Sequence, residues 1–288
     1  MKGIILAGGA GSRLMPLTLA FSKQLLPIYD KPMIYYPLSV LKLAGIREIQ
    51  VITTESDQPL FHRILGDGSS FGIELSYKIQ DQPNGIAEAF ILAEDFIGKD
   101  SVSLILGDNI FFGHQFGDTL VEAKNLEQGA KIFTTFVDNP SEFGVAEVDD
   151  NGHVISIEEK PMVPKSNLAV TGLYFYDNSV IDIVKNLKPS PRGELEITDV
   201  NIAYLEQDSL SHIQLGRGFS WLDTGTHRAL LAASEFVSTI EKRQGLKIAC
   251  LEEIAFNFGW ISPDQVVDSV IRYKNSPYGE YLRQIISS

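Results

Sequence analysis

Cysteine is almost missing from these 288 residues: Cys250 stands alone. That excludes an intrachain disulfide and any metal centre built on clustered thiolates, and it suits a reducing compartment. Long hydrophobic runs are missing too. No stretch approaches the roughly 20 apolar residues that span a bilayer. The run Met1-Lys2-Gly3-Ile4-Ile5-Leu6-Ala7 is too short for the apolar part of a signal peptide and passes directly into glycines. Positive charge is scarce, with 24 Lys and Arg against 37 Asp and Glu and a net charge of −13. General binding to nucleic acid, which needs a basic face, is thereby disfavoured. A small anion needs only a few local cations and backbone N–H groups, so it remains admissible. Low-complexity linkers and internal repeats are also lacking. The expectation is a cytoplasmic protein with neither a membrane nor a nucleic-acid partner.

What is present is ordinary for a globular chain: 44% hydrophobic residues, 24 Gly and 13 Pro. A chain of this length buries about three-quarters of its unfolded surface and needs no staples. Short apolar runs at 3–7, 49–53, 75–79, 102–106 and 131–137 read as buried strands. Segments with helical spacing lie between them, at 33–44, 59–65, 87–97 and 117–126. This alternation predicts an α/β fold with a mostly parallel, Rossmann-like central sheet flanked by helices. Ligands on such sheets sit at the carboxyl ends of the strands. The pattern changes after residue 140. Strands at 142–148 and 153–158 flank Asp149-Asp150-Asn151-Gly152, a hairpin with an Asn-Gly turn. Further strands at 168–176 and 219–222 and a helix at 198–207 complete an inserted β-rich region. From Thr226 the chain reads as helical, with a long amphipathic stretch from Arg228 to Arg243. The division expected is a core over 1–225, with its β-rich part at about 140–225, and a helical region over 226–288.

The strand ending at Ala7 runs into Gly8-Gly9-Ala10-Gly11-Ser12-Arg13-Leu14. Glycines let a backbone approach a ligand closely, and exposed N–H groups in such a turn form an anion-binding concavity. A dinucleotide fingerprint needs a third glycine where Leu14 stands and an acidic residue where Thr53-Thr54 stand; a P-loop needs Gly-Lys-Ser/Thr where Gly11-Ser12-Arg13 stand. Both fit poorly. A loop wrapped around a triphosphate, with Arg13 reaching its outer phosphates, fits better, although a tight turn with no ligand stays open at this point. Lys23 supplies a second cation nearby, and Pro16, Pro27 and Pro32 keep the segment irregular.

Other stations can carry chemistry. Gln80 closes a predicted strand, where an amide can meet the edge of a pyrimidine or serve as a plain surface group. Asp108, in Leu104-Ile105-Leu106-Gly107-Asp108-Asn109, ends a buried strand at the ligand-bearing edge, where it can bind a metal or cap the next helix. Asp223, in Trp221-Leu222-Asp223-Thr224-Gly225, is a second such carboxylate. Glu159 and Lys160 could meet sugar hydroxyls and a phosphate, or be a solvated strand end. Tyr35, Tyr36, Tyr174 and Tyr176 read as packing residues. The five histidines lack metal-ligand spacing.

The string from Lys2 to Leu38, and above all Ser22-Lys23-Gln24-Leu25-Leu26-Pro27-Ile28-Tyr29-Asp30-Lys31-Pro32-Met33-Ile34, resembles the signature of the sugar-nucleotide pyrophosphorylases, a family of nucleotidyltransferases. The resemblance extends over essentially the whole chain. It implies a magnesium-dependent enzyme that joins dTTP to glucose 1-phosphate, giving dTDP-glucose and pyrophosphate, at the head of dTDP-rhamnose and deoxysugar synthesis. UTP, CTP or another hexose 1-phosphate stays open, and a non-catalytic regulatory subunit is disfavoured by the presence of every charged group needed. The resemblance implies Arg13 and Lys23 as catalytic cations and Leu6, Gly8, Gly9, Gly11, Ser12, Arg13, Gln80, Pro83, Gly85 and Asp108 around the nucleotide. It places Gly144, Glu159, Lys160 and Val170 around the sugar and its phosphate. It pairs Asp108 with Asp223 as Mg²⁺ ligands, a pairing that spacing alone could not give. Arg192 falls in a segment near the sugar with no catalytic role. Homotetramers with a second, feedback-inhibitory nucleotide site at a subunit interface are also implied, involving Phe111 to Phe116 and Gly216-Arg217-Gly218 with the C-terminal helices. Asn257 departs from the basic residue common there, and Ser12 stands where threonine is more usual.

Overall fold

Alternation in the first strand decides the layering. Ile4 and Ile5 are both fully buried yet belong to different hydrophobic clusters, because successive side chains of a strand point to opposite faces. A sheet buried on both faces follows. The computed structural model describes residues 1–9 and 11–287; Ala10 of the glycine loop and Ser288 lie outside them. The strands are β1 (Lys2–Leu6), β2 (Pro27–Ile28), β3 (Lys31–Pro32), β4 (Glu48–Thr53), β5 (Glu74–Ile79), β6 (Val102–Leu106), β7 (Asn109–Gly113), β8 (Ala130–Phe136), β9 (Gly144–Val148), β10 (Val154–Glu159), β11 (Leu168–Tyr176), β12 (Leu210–Gln214) and β13 (Phe219–Asp223). The helices are α1 (Tyr35–Leu43), α2 (Gln58–Leu65), α3 (Glu88–Leu92), α4 (Glu94–Ile97), α5 (Phe116–Lys124), α6 (Val180–Asn186), α7 (Ile197–Glu206), α8 (His227–Gln244), α9 (Leu251–Asn257), α10 (Pro263–Tyr273) and α11 (Pro277–Ser287).

The central sheet runs β10-β9-β11-β6-β1-β4-β5, with β8 and β12 joined to it through β11. Its β6-β1-β4-β5 part is parallel throughout. The antiparallel β11, buried along all nine residues, then carries the sheet into the inserted region. One face packs Ile5, Val51 and Ile105 against Leu38 and Leu41 of α1, Phe61 of α2 and Leu120 of α5. The other packs Ile4, Ile52 and Leu104 against Phe90 of α3, Ile97 of α4, Val180 of α6 and Tyr204 of α7. Ile5→Ala opens a cavity at the middle of β1 and should cost about 2–5 kcal/mol. Urea unfolding midpoints check this; an unchanged midpoint contradicts it.

The expected strands and helices of the parallel part are present within a residue or two, except that 87–97 is two short helices interrupted at Ala93, whose φ/ψ of −96°/8° departs from the helical basin. The segment after the glycine loop is irregular as expected: three 3₁₀ turns (Ser12–Leu14, Leu17–Leu19, Lys23–Leu25) and the two-residue pair β2/β3. At the Asn-Gly hairpin, Gly152 has φ 82° and its N–H donates to Asp149 O at 3.0 Å. The last quarter is helical. Thr226 caps α8 by accepting from Ala229 N, and a full capping box between Ser262 and Gln265 opens α10. No helix among the described residues is long and apolar enough to cross a membrane.

Candidate active site

A pair of strands does the positioning, one expected at 219–222 and one, β7, that the sequence did not announce. β6 ends at Leu106, turns through Gly107-Asp108 and continues as β7; β13 pairs antiparallel with β7 so that Asp223 faces Asn109 in register. Thr224 ties the junction, its N and Oγ1 both donating to Asp108 O, at 3.2 and 2.7 Å. Two carboxylates remote in sequence thus meet at one sheet edge. Asp108 Oδ1 accepts from Asn109 Nδ2 at 3.0 Å, and Oδ2 takes a close ion pair from Lys23 Nζ. Asn109 is itself fixed, because its Oδ1 accepts from Gly172 N at 3.1 Å and Trp221 Nε1 at 2.6 Å.

Burial, and next the like charge of Asp108, push the Asp223 carboxyl up to about 6, against the pull of Lys23 and Arg13. Two acids in that situation call for a cation. Among the described residues no group of three or more His, Cys, Asp or Glu forms a closed metal cage. One or two carboxylates completed by phosphate oxygens and water is the donor set that Mg²⁺ favours, so the residues present fit that ion. Arg13, exposed, leans over this edge, with Nη2 2.8 Å from where a β-carbon on Gly225 would lie.

From the carboxylates a cleft of about 430 Å³ runs into the inserted region. Of the residues expected to serve the sugar, Gly144, Glu159, Lys160 and Val170 all line it, with Arg13, Asp108 and Asp223 at its near end. Glu159 is oriented by Thr198, whose Oγ1 donates to Oε2 at 2.6 Å, while Lys160 Nζ stands 3.4 Å from Oε1. Thr198, Tyr174, Trp221 and Asn109 also line the cleft; none was expected as a site residue, and Tyr174 was read as packing only. Thr198 lay inside a segment marked as near the sugar; the other three carry no sequence signal beyond strand packing. Arg192 bonds Glu196 at 2.9 Å, outside the cleft lining.

The remaining expected nucleotide residues, Leu6, Gly8, Gly9, Gly11, Ser12, Gln80, Pro83 and Gly85, lie outside this lining. Gly8 and Gln80 touch: a β-carbon on Gly8 would come within 2.5 Å of Gln80 Oε1. Gly9, Ser12 and Pro83 are exposed, and Gly11 has φ 59°. Gly85, with φ 108°, makes its close approach to Leu195, whose carbonyl oxygen would be 2.3 Å from a β-carbon there. Hydrogen bonds Leu195 N to Asn84 O (2.7 Å) and Ala87 N to Leu195 O (3.1 Å) hold the two backbones together.

Paired acids facing two cations, beside a glycine turn at the carboxyl edge of a parallel sheet, define an enzyme class that handles phosphate esters with a cation. The chain belongs to the nucleotidyl transferase family, whose model matches residues 2–240. It is 57% identical over 99% of both chains to glucose-1-phosphate thymidylyltransferase of Neisseria meningitidis. It is 54% identical, again over 99% of both, to the enzyme of the same name from Mycobacterium tuberculosis. Among solved structures it matches a chain described as a glucose-1-phosphate thymidylyltransferase from Bacillus anthracis, in complex with sucrose. That match has a TM-score of 0.77 and 45% identity over 82% of this chain and 94% of that one. A UDP-glucose pyrophosphorylase shares the fold, with a TM-score of 0.73 at 24% identity over 84% and 99%.

Proposed function

We propose that this chain condenses dTTP with α-D-glucose 1-phosphate to give dTDP-glucose and pyrophosphate. The observation that carries the reading is the convergence of Asp108, Asp223, Lys23 and Arg13 at one end of a cleft whose other end holds Glu159 and Lys160. An oxygen of the sugar phosphate attacks the α-phosphorus and the bond to the β-phosphate breaks. That oxygen is already ionised at neutral pH, so no protein base is required. The obstacle is repulsion between two anions, which positioned cations and a dry, shaped site reduce. Arg13 takes the departing pyrophosphate, and Lys23 turns from Asp108 to the phosphates at the reacting centre. Lys160 holds the sugar phosphate while Glu159, kept in place by Thr198, accepts from sugar hydroxyls. Asp108 and Asp223 would hold Mg²⁺, which supplies charge neutralisation on nucleotide oxygens. Gly8, Gly9, Gly11 and Ser12 give the phosphates backbone N–H donors, flanked by Leu6; Gln80, with Pro83 and Gly85 beside it, reads the base.

The division of labour proposed is chemistry in 1–225 and self-association through 226–288, in a homotetramer of the cytoplasm. Leu231, Phe258 and Ile271 on the latter segment are 61%, 46% and 67% exposed, apolar area that an interface would cover. The deciding experiment supplies Mg²⁺, glucose 1-phosphate and each nucleoside triphosphate in turn and measures pyrophosphate. Release with dTTP, alone or with UTP, is the expected result. Release with none sinks the reading, and release with another triphosphate only moves the substrate.

A further inference from the structure

Gln80 is 5% exposed, at the carboxyl end of β5, and its side chain crosses the end of β4 to reach the glycine turn after β1. A glutamine amide has two nearly isosteric ends of opposite hydrogen-bonding character, so a base reader must settle which end faces the ligand. Here a neighbour settles it. Gln80 Nε2 donates to Glu88 Oε2 at 2.7 Å, and the other oxygen of that carboxylate accepts from Asn84 Nδ2, also at 2.7 Å. An ionised carboxylate only accepts, so the nitrogen of Gln80 must turn to Glu88 and Oε1 must turn to Gly8. Glu88 opens α3, which the Gly85–Leu195 contact anchors, so the carboxylate does not drift with a loop.

The two pyrimidine edges are mirror images in this respect. Thymine and uracil present a carbonyl acceptor at C4 and an N–H donor at N3; cytosine presents an amino donor at C4 and an acceptor at N3. With Oε1 held outward beside the remaining N–H of Nε2, the amide accepts from N3–H and donates to O4. Turned by 180°, the same amide would match cytosine.

We infer that Glu88 is a specificity-determining positioning residue, which locks the polarity of the Gln80 amide and so selects thymine- or uracil-type bases over cytosine. The inference rests on the reading of Gln80 as the base contact. Its sequence gave no warning: Glu88 reads as a polar residue on the first turn of a helix.

The test measures kcat/KM for dTTP and for dCTP in the wild type and four variants, all screened for an unchanged melting temperature. Glu88→Ala frees the amide, and the preference for dTTP over dCTP should fall about tenfold or more, the worth of a hydrogen bond to a charged group. Glu88→Gln can still accept from Nε2 and should retain most of the preference. Glu88→Lys, a donor only, draws Oε1 inward and should raise use of dCTP above wild type, a gain that mere loss of structure cannot produce. Gln80→Leu separates the two levels of the argument. If Gln80→Leu erases the preference and Glu88→Ala and Glu88→Lys leave it intact, Glu88 has no such role while the base contact stands. If none of these variants moves it, the base contact falls and the inference with it.

Discussion

Lys23→Ala should lower kcat by about 10²- to 10³-fold, the usual cost of removing one preorganised group that meets charge developing in the transition state. The structure isolates this effect from folding. Lys23 lies on a 3₁₀ turn whose shape is set by backbone bonds, Leu25 N to Ser22 O and Leu26 N to Lys23 O, and the side chain bonds only to Asp108. The alanine variant therefore keeps the turn, and with Mg²⁺ bound to balance Asp108 it should keep a melting temperature near that of the wild type. It leaves Asp108 and Asp223 facing each other with one cation fewer, so its affinity for Mg²⁺ should not fall; the loss belongs in turnover. Lys23→Arg restores charge but replaces a compact ammonium with a planar fork, and partial recovery is expected. Pyrophosphate release at saturating dTTP and glucose 1-phosphate gives the number. Turnover within a factor of three of wild type would remove Lys23 from the mechanism.

Much of this site could be read before any coordinate existed, because its parts carry local signatures. The glycine turn, the irregular proline-punctuated segment around Lys23 and the strand ending at Asp108 each announce themselves in a dozen residues or fewer. The parallel strands were equally legible, since β-branched runs buried on both faces need no partner to be recognised. What stayed hidden depends on pairing at a distance. β7 follows β6 after two residues and reads as a loop, and only its ladder with β13 reveals that Asn109 faces Asp223. β12, a half-buried strand beside β8, and α6, seven residues long, are too brief or too mixed in polarity to declare themselves. The orientation of Gln80 was hidden for the same reason. A residue type can be read from sequence, but which end of an amide faces a ligand is decided by Glu88 across the end of a strand.

Asp223→Asn should act in opposite directions on stability and on activity, and that opposition is the sharper test of the acid pair. Without a metal, the Asp223 carboxyl titrates near 6 because burial and then Asp108 disfavour its ionised form. Its ordinary value is 3.8, so between these values the folded state holds the proton more firmly than the unfolded state does. Stability from this group therefore falls as pH rises through that window, and the penalty is fully present above about pH 6. Asparagine keeps the shape and removes the charge. The metal-free variant should be more stable than the metal-free wild type at pH 7.5, by on the order of 1–3 kcal/mol, with the gap closing below pH 4. Activity goes the other way: loss of one of two anionic ligands should cut Mg²⁺-dependent turnover at least 10²-fold. The wild type should also need more Mg²⁺ for half-saturation as pH drops below 6, since the ion must then displace a proton, and Asp223→Asn should lose that dependence. Thermal melts in a chelator and calorimetric Mg²⁺ titrations at pH 5.5 and 7.5 read both effects. An asparagine variant that is less stable than wild type in chelator at pH 7.5 would mean that the two carboxylates do not repel, and that the site is not held ready for a cation.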